Sequence, residues 1–537
     1  MGDRIKRALF ILMRLYRNQA GNTLAIVAAA MLPLAGMVGG ALDISRGYLA
    51  KTRLQQACDA GVLAGRKIMG SSGVLSDDVT AEVQKYVNFN YPSGYLGSTA
   101  PTVSPTLGAN EQIQLTISTT VPTVVMKLFK KDSIAINASC SARNDYTNID
   151  IVLVLDVTGS MACQPSKATS ACNSYWSSNH GKTGTAADTG KSFRYTTEEK
   201  VGGVNVSRIE ALRNSLANLQ TQMATIETQF SAAPEASRKR VRWAIVPFDQ
   251  MVNAGFSKGP AGTTLYARNP TWFNTTGTYQ STSSTSSRQS VAHNATWLAN
   301  TWDGCVEERT TSNTITKTSG HSIPDNLPTT AYDLKFDLAA TSTETRWTVT
   351  DPTKTGSADY SCPKAMREFS PMTATEFNDY FKFSNGFAAE GRTYLDVGML
   401  WAARLLSRTG LWQSDNPVTF HTFPVTRYVI FMTDGVMQTD DSVYSNYAQE
   451  SYWARTTASS GNSTNNHTAR WLMTCNAIKN MSTTIYAISF GAGSTVTDDL
   501  KSCSSGTGYW YKADEASDLD DVFRDIGENI GSLRLSQ

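Results

Sequence analysis

Asp156, Thr158 and Ser160 stand at positions i, i+2 and i+4 of the run Asp156-Val157-Thr158-Gly159-Ser160. One carboxylate and two hydroxyls at this spacing can face a single point if the chain turns sharply, and Gly159 permits such a turn. The pattern D-x-[ST]-x-S is weak alone. Its position strengthens it, because it directly follows Ile151–Leu155 (IVLVL), a continuous apolar run of the kind that forms a strand buried on both faces. In open α/β sheets, ligands collect at the carboxyl ends of strands, where this motif falls. A later run, Tyr428–Met432 (YVIFM), ends in Thr433-Asp434-Gly435 and supplies a second strand-end carboxylate. Between them, Gly391-Arg392-Thr393 precedes a helical pattern and offers a third hydroxyl. Taken singly, Asp434 reads as a turn residue and Thr393 as an N-cap. In this order, the three segments imply one cluster of oxygen donors.

In motif and order the chain resembles von Willebrand factor A domains, whose metal-ion-dependent adhesion site uses D-x-[ST]-x-S, then a Thr, then an Asp. The resemblance implies that Thr158, Ser160 and Thr393 supply hydroxyl oxygens, and that Asp156 and Asp434 bind directly or through water. Such hard oxygen ligands suit a divalent cation, Mg²⁺ first, with Mn²⁺ or Ca²⁺ as alternatives. It further implies an open coordination position, which an acidic side chain of a protein partner fills in the family. Thr158 stands where Ser is commoner, and the hydroxyl is retained.

Other chemistries find little support. There is no HExxH, and Gly181-Lys182-Thr183 lacks the upstream glycine and strand of a phosphate-binding loop. Gly491-Ala492-Gly493 follows a strand but lacks the third glycine of a dinucleotide fingerprint and reads as a turn. No His or Glu of the oxygen motif is placed as a base for a metal-bound water. A binding module, not an enzyme, is expected.

Apolar periodicity shows which elements must position these groups. After Ile151–Leu155, Ile209, Leu212, Leu216, Leu219 and Met223 fall at helical spacing, and Val241–Phe248 (VRWAIVPF) reads as a strand. Leu395, Met399, Ala402 and Leu406 mark a helix before Tyr428–Met432. A helix over 467–479, a strand at Thr483–Phe490 and a helix on Leu519, Val522, Phe523, Ile526 and Ile530 complete the alternation. This pattern predicts an α/β domain over 147–537, a doubly wound, mostly parallel sheet. Two insertions interrupt it: the Ser/Thr/Gly-rich segment 163–200, and 253–390 with its low-complexity core Ser281–Ser290. Trp243, Trp272, Trp297, Trp302 and Trp347 imply that parts of this region fold, with packing as their first role.

The N-terminal part reads differently. From Leu24 to Leu42 no residue is charged, and the uncharged run reaches back to Ala20, enough for a transmembrane helix over 20–42. Arg4, Lys6, Arg7, Arg14 and Arg17 precede it, against Arg46, Lys51 and Arg53 after it. The positive-inside rule then puts the basic N-terminus, 1–19, in the cytoplasm and the rest outside. A signal peptide cleaved near Gly39-Gly40-Ala41 is the alternative, although helical pattern continues through Ile44, Tyr48, Leu54 and Ala57 to Gly70. A helix over Asp77–Asn88 and strands at Gln112–Thr120 and Ser133–Ala142 make 43–146 a small pilin-like α+β segment. The eight cysteines are distant singles without a CxxC pair, which argues against a zinc cluster and for disulfides in an oxidising compartment. Proximity suggests Cys163–Cys172, Cys305–Cys362 and Cys475–Cys503. A net charge of +2, with 18% charged residues, provides no footprint for nucleic acid.

Gly21–Pro33, then Leu42-Asp43-Ile44-Ser45-Arg46, then Leu54-Gln55-Gln56-Ala57-Cys58-Asp59-Ala60-Gly61-Val62-Leu63-Ala64 resemble the Tad (Flp-type) pilus assembly proteins of the TadE/TadG group. Pseudopilins of this group carry a Glu five residues beyond the cleavage glycine; Ile26 stands there, so an intact anchor helix is expected. With the A-type domain, the architecture is similar to TadG-like proteins over nearly the whole chain. The resemblance implies a single-pass inner-membrane protein with a periplasmic domain that binds pilus or secretion machinery through the metal. Structural anchoring, a minor-pilin-like role, a surface adhesin and an accessory subunit of a chelatase-type ATPase are the competing readings.

Overall fold

The computed structural model describes residues 19–69, 74–108, 112–142, 148–231, 241–259, 262–280, 288–318, 323–354, 359–420, 423–458 and 463–531. The basic N-terminal residues, the boundary at Thr147 and residues 281–287 of the low-complexity run lie outside them. The described residues fall into two compact units, 19–142 and 148–531.

The smaller unit is organised by one long helix, α1 (Gln19–Met69). By length and composition it holds a stretch able to cross a membrane. Further along, Asp43, Ala50, Leu54, Ala57, Cys58 and Val62 are buried at intervals that keep them on one side of the helix, a stripe that faces the rest of the unit. Helix α2 (Asp77–Asn90), capped by Ser76, lays Val79, Val83 and Val87 against it. The helices approach closely because Gly61 and Gly65 carry no side chain: a Cβ there would lie 2.7 Å from Val87 and 2.3 Å from Val83. Strands β1 (Thr102–Leu107), β2 (Ile113–Pro122) and β3 (Ser133–Ala142) form an antiparallel sheet in that order. Ile113, Leu115, Ile117 and Val121 alternate inward, and Cys58–Cys140 ties α1 to β3. The pattern anticipated β2 and β3; β1 escaped it because Pro105 interrupts the signal, which an edge strand tolerates.

In the larger unit six strands are hydrogen-bonded side by side: β4 (Asn148–Asp156), β5 (Val241–Phe248), β6 (Arg367–Ser370), β7 (Phe423–Thr433), β8 (Thr484–Phe490) and β9 (Trp510–Ala513). Their order is β6-β5-β4-β7-β8-β9; the β6 pairing is antiparallel and the others are parallel. Alternate side chains of β4 enter two cores. Ile151, Leu153 and Leu155 join Leu212, Leu216 and Leu219 of α4 (Arg208–Ser231) and Phe523 and Ile526 of α7 (Ala516–Gly531). Val152 and Val154 join the wholly buried α5 (Leu395–Leu406) and Trp471 and Leu472 of α6 (Ser463–Asn480). A remaining helix, α3 (Thr169–Asn179), lies in the first insertion.

Among its described residues, the second insertion is folded. Phe273, Leu298, Trp302, Val306, Leu334, Trp347 and Val349 share the core of α5, with the Trp347 ring 4.8 Å from that of Trp401. Trp243 belongs to β5 and packs on Phe377. Buried ion pairs fasten the insertion: Arg404 is bidentate to Glu308, at 2.7 and 2.8 Å, and Arg470 meets Asp333 at 3.2 Å. The three disulfides suggested by proximity form, and the fourth is Cys58–Cys140.

Candidate functional site

Strand β4 pairs with β5 on one side and β7 on the other; the connection after β4 runs to β5, and the connection after β7 runs the opposite way, to β8. That arrangement opens a crevice at the strand ends, and Asp156 is the last residue of β4. Its Oδ1 accepts the Thr158 backbone N–H at 2.8 Å, and its Oδ2 accepts the Thr433 hydroxyl at 2.7 Å. The first bond folds the motif back on itself. Thr158 Oγ1 then lies 3.2 Å from Ser160 Oγ, and Ser160 donates to Asp434 Oδ1 at 2.8 Å.

Thr393 arrives by backbone pairing of its own segment with the motif. Glu390 N–H donates to Val157 O at 2.8 Å, and Gly159 N–H donates to Gly391 O at 3.0 Å. Gly391 has φ +81°, and a Cβ there would meet Gln250 Oε1 at 2.2 Å, so glycine is required. Thr393 Oγ1 reaches Thr158 Oγ1 at 3.5 Å. Thr393 does not cap α5; that position is Tyr394, which makes no side-chain capping bond. All five oxygen-bearing residues named from the sequence therefore meet. Asp156, Thr158, Thr393 and Asp434 are buried, and Ser160 is half-buried.

The structure adds groups that the motif did not reveal. Arg208, at the start of α4, ion-pairs with Asp434 Oδ2 at 2.9 Å with neither side chain exposed. Its guanidinium fits because Gly491 (φ +104°) has no Cβ, which would otherwise approach Cζ to 2.7 Å. The Gly491-Ala492-Gly493 turn thus has a packing role beyond connection. Asp249 follows β5 directly, is buried, and leaves Oδ2 without a hydrogen bond. Burial, reinforced by the Glu390 and Asp156 charges, pushes its carboxyl up to about 8. Burial, then the Asp434 charge, pushes Asp156 up to about 7. A readable signal for Asp249 existed: β4, β5 and the β7 run are each followed or ended by Asp, and only two of the three entered the motif.

Helix α3 of the insertion segment 163–200 packs on the motif loop. Trp176 of α3 packs on Gly159, where a Cβ would lie 1.8 Å from Trp176 Cδ1. The Arg392 guanidinium stands 4.4 Å over the Trp176 ring, and His180 stacks on it at 4.5 Å. Cys163–Cys172 ties α3 to the end of the motif loop.

The donor set, two carboxylates and three hydroxyls, is compatible with a hard cation, and burial raises the Asp156 carboxyl within it. Two other patterns fail on inspection. Asp303, Cys305 and Cys362 lie close together, but both sulfurs are consumed in a disulfide. Gly255-Phe256-Ser257-Lys258-Gly259 matches the G-x-S-x-G pattern. Ser257 is buried, and its hydroxyl donates at 3.2 Å to Glu368, which is itself ion-paired with Arg268.

The TadE/G-like Flp pilus-assembly family matches residues 21–67, most of α1. No curated protein matches the sequence. Similar solved structures include a point mutant of the PilB minor pilin from Streptococcus sanguinis, with TM-score 0.32 and 11% identity, covering 80% of this chain and 78% of that one. The pilus adhesin SpaC from Lactobacillus rhamnosus GG has TM-score 0.29 and 10% identity; 80% of this chain is covered, spanning 34% of the SpaC chain. Proximal thread matrix protein 1 from the mussel byssus, with a zinc-occupied MIDAS motif, has TM-score 0.27 and 10% identity, covering 73% and 49%. At these scores, the three likenesses decide neither fold nor function.

Proposed function

We propose that this chain is a membrane-anchored binding protein of Tad (Flp) pilus assembly whose larger unit is a von Willebrand factor A-type module. One observation carries the reading: five oxygen-bearing side chains from three separate segments, two of them strand ends, come together at the carboxyl edge of the sheet. In this reading Asp156, Thr158, Ser160, Thr393 and Asp434 hold a divalent cation, Mg²⁺ first, with Arg208 steadying Asp434. The cation supplies a Lewis-acidic position for an acidic side chain of a pilus or secretion-machine partner. The module binds and does not catalyse. The family match over 21–67 supports the pilus context, and α1 supports a single membrane anchor. The cytoplasmic N-terminus follows from the excess of basic residues before the span, and the periplasmic domain agrees with four disulfides.

A second reading, a passive spacer, draws on Arg208, which already neutralises part of Asp434. Thermal unfolding of the full chain with and without Mg²⁺, beside Asp156→Ala, separates the two. A cation at a hundred times its dissociation constant stabilises the fold by about 2.7 kcal/mol, so the parent should gain several degrees and the variant none. Partner capture from envelope extracts should be lost in EDTA. No Mg²⁺ shift in either protein, with capture unchanged by EDTA, would leave the spacer reading.

A further inference from the structure

Between β2 and β3 the chain makes no tight turn but a longer excursion, Thr123–Lys131, with a 3₁₀ turn at Met126–Phe129. Its side chains are unusual for a water-facing loop. Leu128 is 82% exposed, Val124 58% and Phe129 55%, and Lys127, Lys130 and Lys131 are exposed among them. The backbone is nonetheless pinned. The buried Asp43 carboxylate of α1 accepts the N–H groups of Val124, Val125 and Met126 at 2.8, 3.0 and 2.8 Å. These bonds, from Met126 first, hold its carboxyl below the ordinary carboxylate range. Thr123 N–H donates to Asp132 O at 3.0 Å and closes the base of the loop.

Two glycines seat the loop on the apolar part of α1. A Cβ at Gly39 would lie 2.1 Å from Val125 Cγ1, and one at Gly36 would lie 3.2 Å from the tip of the Phe129 ring. Gly36 is seven residues before Asp43, so the Phe129 contact is about 10 Å further along the helix towards its N-terminus. Both glycines fall inside the uncharged run, whose neighbouring side chains Met31, Leu34, Met37 and Val38 are exposed. A loop rigidly held beside a membrane-spanning segment shares the depth of that segment.

We propose that Val124–Lys131 is a lipid-contacting wedge: Leu128 and Phe129 enter the acyl region of the leaflet from which α1 emerges, and Lys127, Lys130 and Lys131 engage anionic headgroups. The inference rests on reading α1 as the membrane anchor. Apolar tips flanked by lysines suit the headgroup boundary, where the ammonium groups stay wet while their stems lie along apolar surface. The wedge, clamped by Asp43, fixes how deep the helix sits and places the outer edge of the hydrocarbon near Gly39.

All eight native cysteines are paired, so a single introduced thiol is the free one. The test uses the full chain in phosphatidylcholine vesicles, with and without phosphatidylglycerol, carrying an environment-sensitive fluorophore at Leu128→Cys, Met31→Cys or Phe89→Cys. The Leu128 probe should be blue-shifted, quenched by spin-labelled lipid and protected from iodide, at shallower depth than Met31; Phe89 should respond to iodide alone. Gly39→Leu should return the Leu128 probe to iodide while leaving Met31 in lipid. Phosphatidylglycerol should deepen the Leu128 response in the parent but not with Lys127, Lys130 and Lys131 changed to Glu; no such difference overturns the headgroup contact. An iodide-accessible Leu128 beside a lipid-quenched Met31 overturns the wedge and leaves the anchor standing. Both probes open to iodide would remove the anchor reading as well. A Leu128 probe shielded from both quenchers would mean a protein contact and overturn the lipid assignment.

Discussion

Asp156 and Asp249 are carboxyls that burial holds up at about 7 and about 8. Without a cation, their linkage has a definite sign. Between the ordinary carboxylate range and these values, the folded protein keeps protons that the unfolded chain has released. Their contribution to stability is therefore largest at low pH and falls as pH rises through about 7 to 8. A cation that needs Asp156 ionised must displace its proton, so its affinity should drop about tenfold per pH unit per proton displaced below pH 7. The melting gain from Mg²⁺ should accordingly be larger at pH 8 than at pH 5, and Asp156→Asn should abolish both the gain and its pH dependence. A gain that does not change with pH would mean that the ion binds elsewhere. The motif residues were legible because D-x-T-x-S is local in the chain. Arg208 was not, because its partner Asp434 lies 226 residues away and nothing in the sequence near Arg208 marks it as a counter-ion.

At the scale of elements, α3 lies against the motif loop. Trp176 packs there on Gly159 and is capped by the Arg392 guanidinium. A cation–π contact of this kind contributes about 0.5–2 kcal/mol. In the proposed reading that contact holds α3 beside the metal site, and removing it should tighten partner binding by roughly 2- to 30-fold. Trp176→Ala should thus bind the partner better in a Mg²⁺-dependent titration; unchanged or weaker binding would show that α3 forms part of the docking surface. The main strands and helices of the sheet were readable from periodicity, Val241–Phe248 to the residue, and the apolar positions Leu395, Met399, Ala402 and Leu406 all lie in α5. The edge strands β6 and β9, four residues each, were too short to carry a pattern and exist through pairing with β5 and β8.

For the whole molecule, the cysteines offer a test of the proposed extracytoplasmic location. All eight are paired, and a structure of this kind requires oxidation during maturation. Protein from membranes, denatured without reductant, should take up no maleimide, and eight equivalents after reduction. Free thiols in the mature protein would contradict an extracytoplasmic location for both units. The proximity rule worked for the three pairs separated by 9, 28 and 57 residues. The remaining pair spans 82 residues and depends on β3 folding back along α1.

By itself, the sequence determined the long apolar-then-amphipathic helix, the βα alternation and the oxygen motif, because each is written in spacings of a few residues that backbone geometry converts directly into a face or a turn. Only the tertiary structure decided that Arg208 pairs with Asp434, that Asp249 comes near Asp156, and that Trp176 packs on Gly159. It likewise decided that the 124–131 loop is held against Gly36 and Gly39. These are meetings of residues tens to hundreds of positions apart, set by strand order and by which side chains a glycine leaves room for. No local pattern encodes such choices, because their free energy exists only once the sheet, the insertions and α1 are packed.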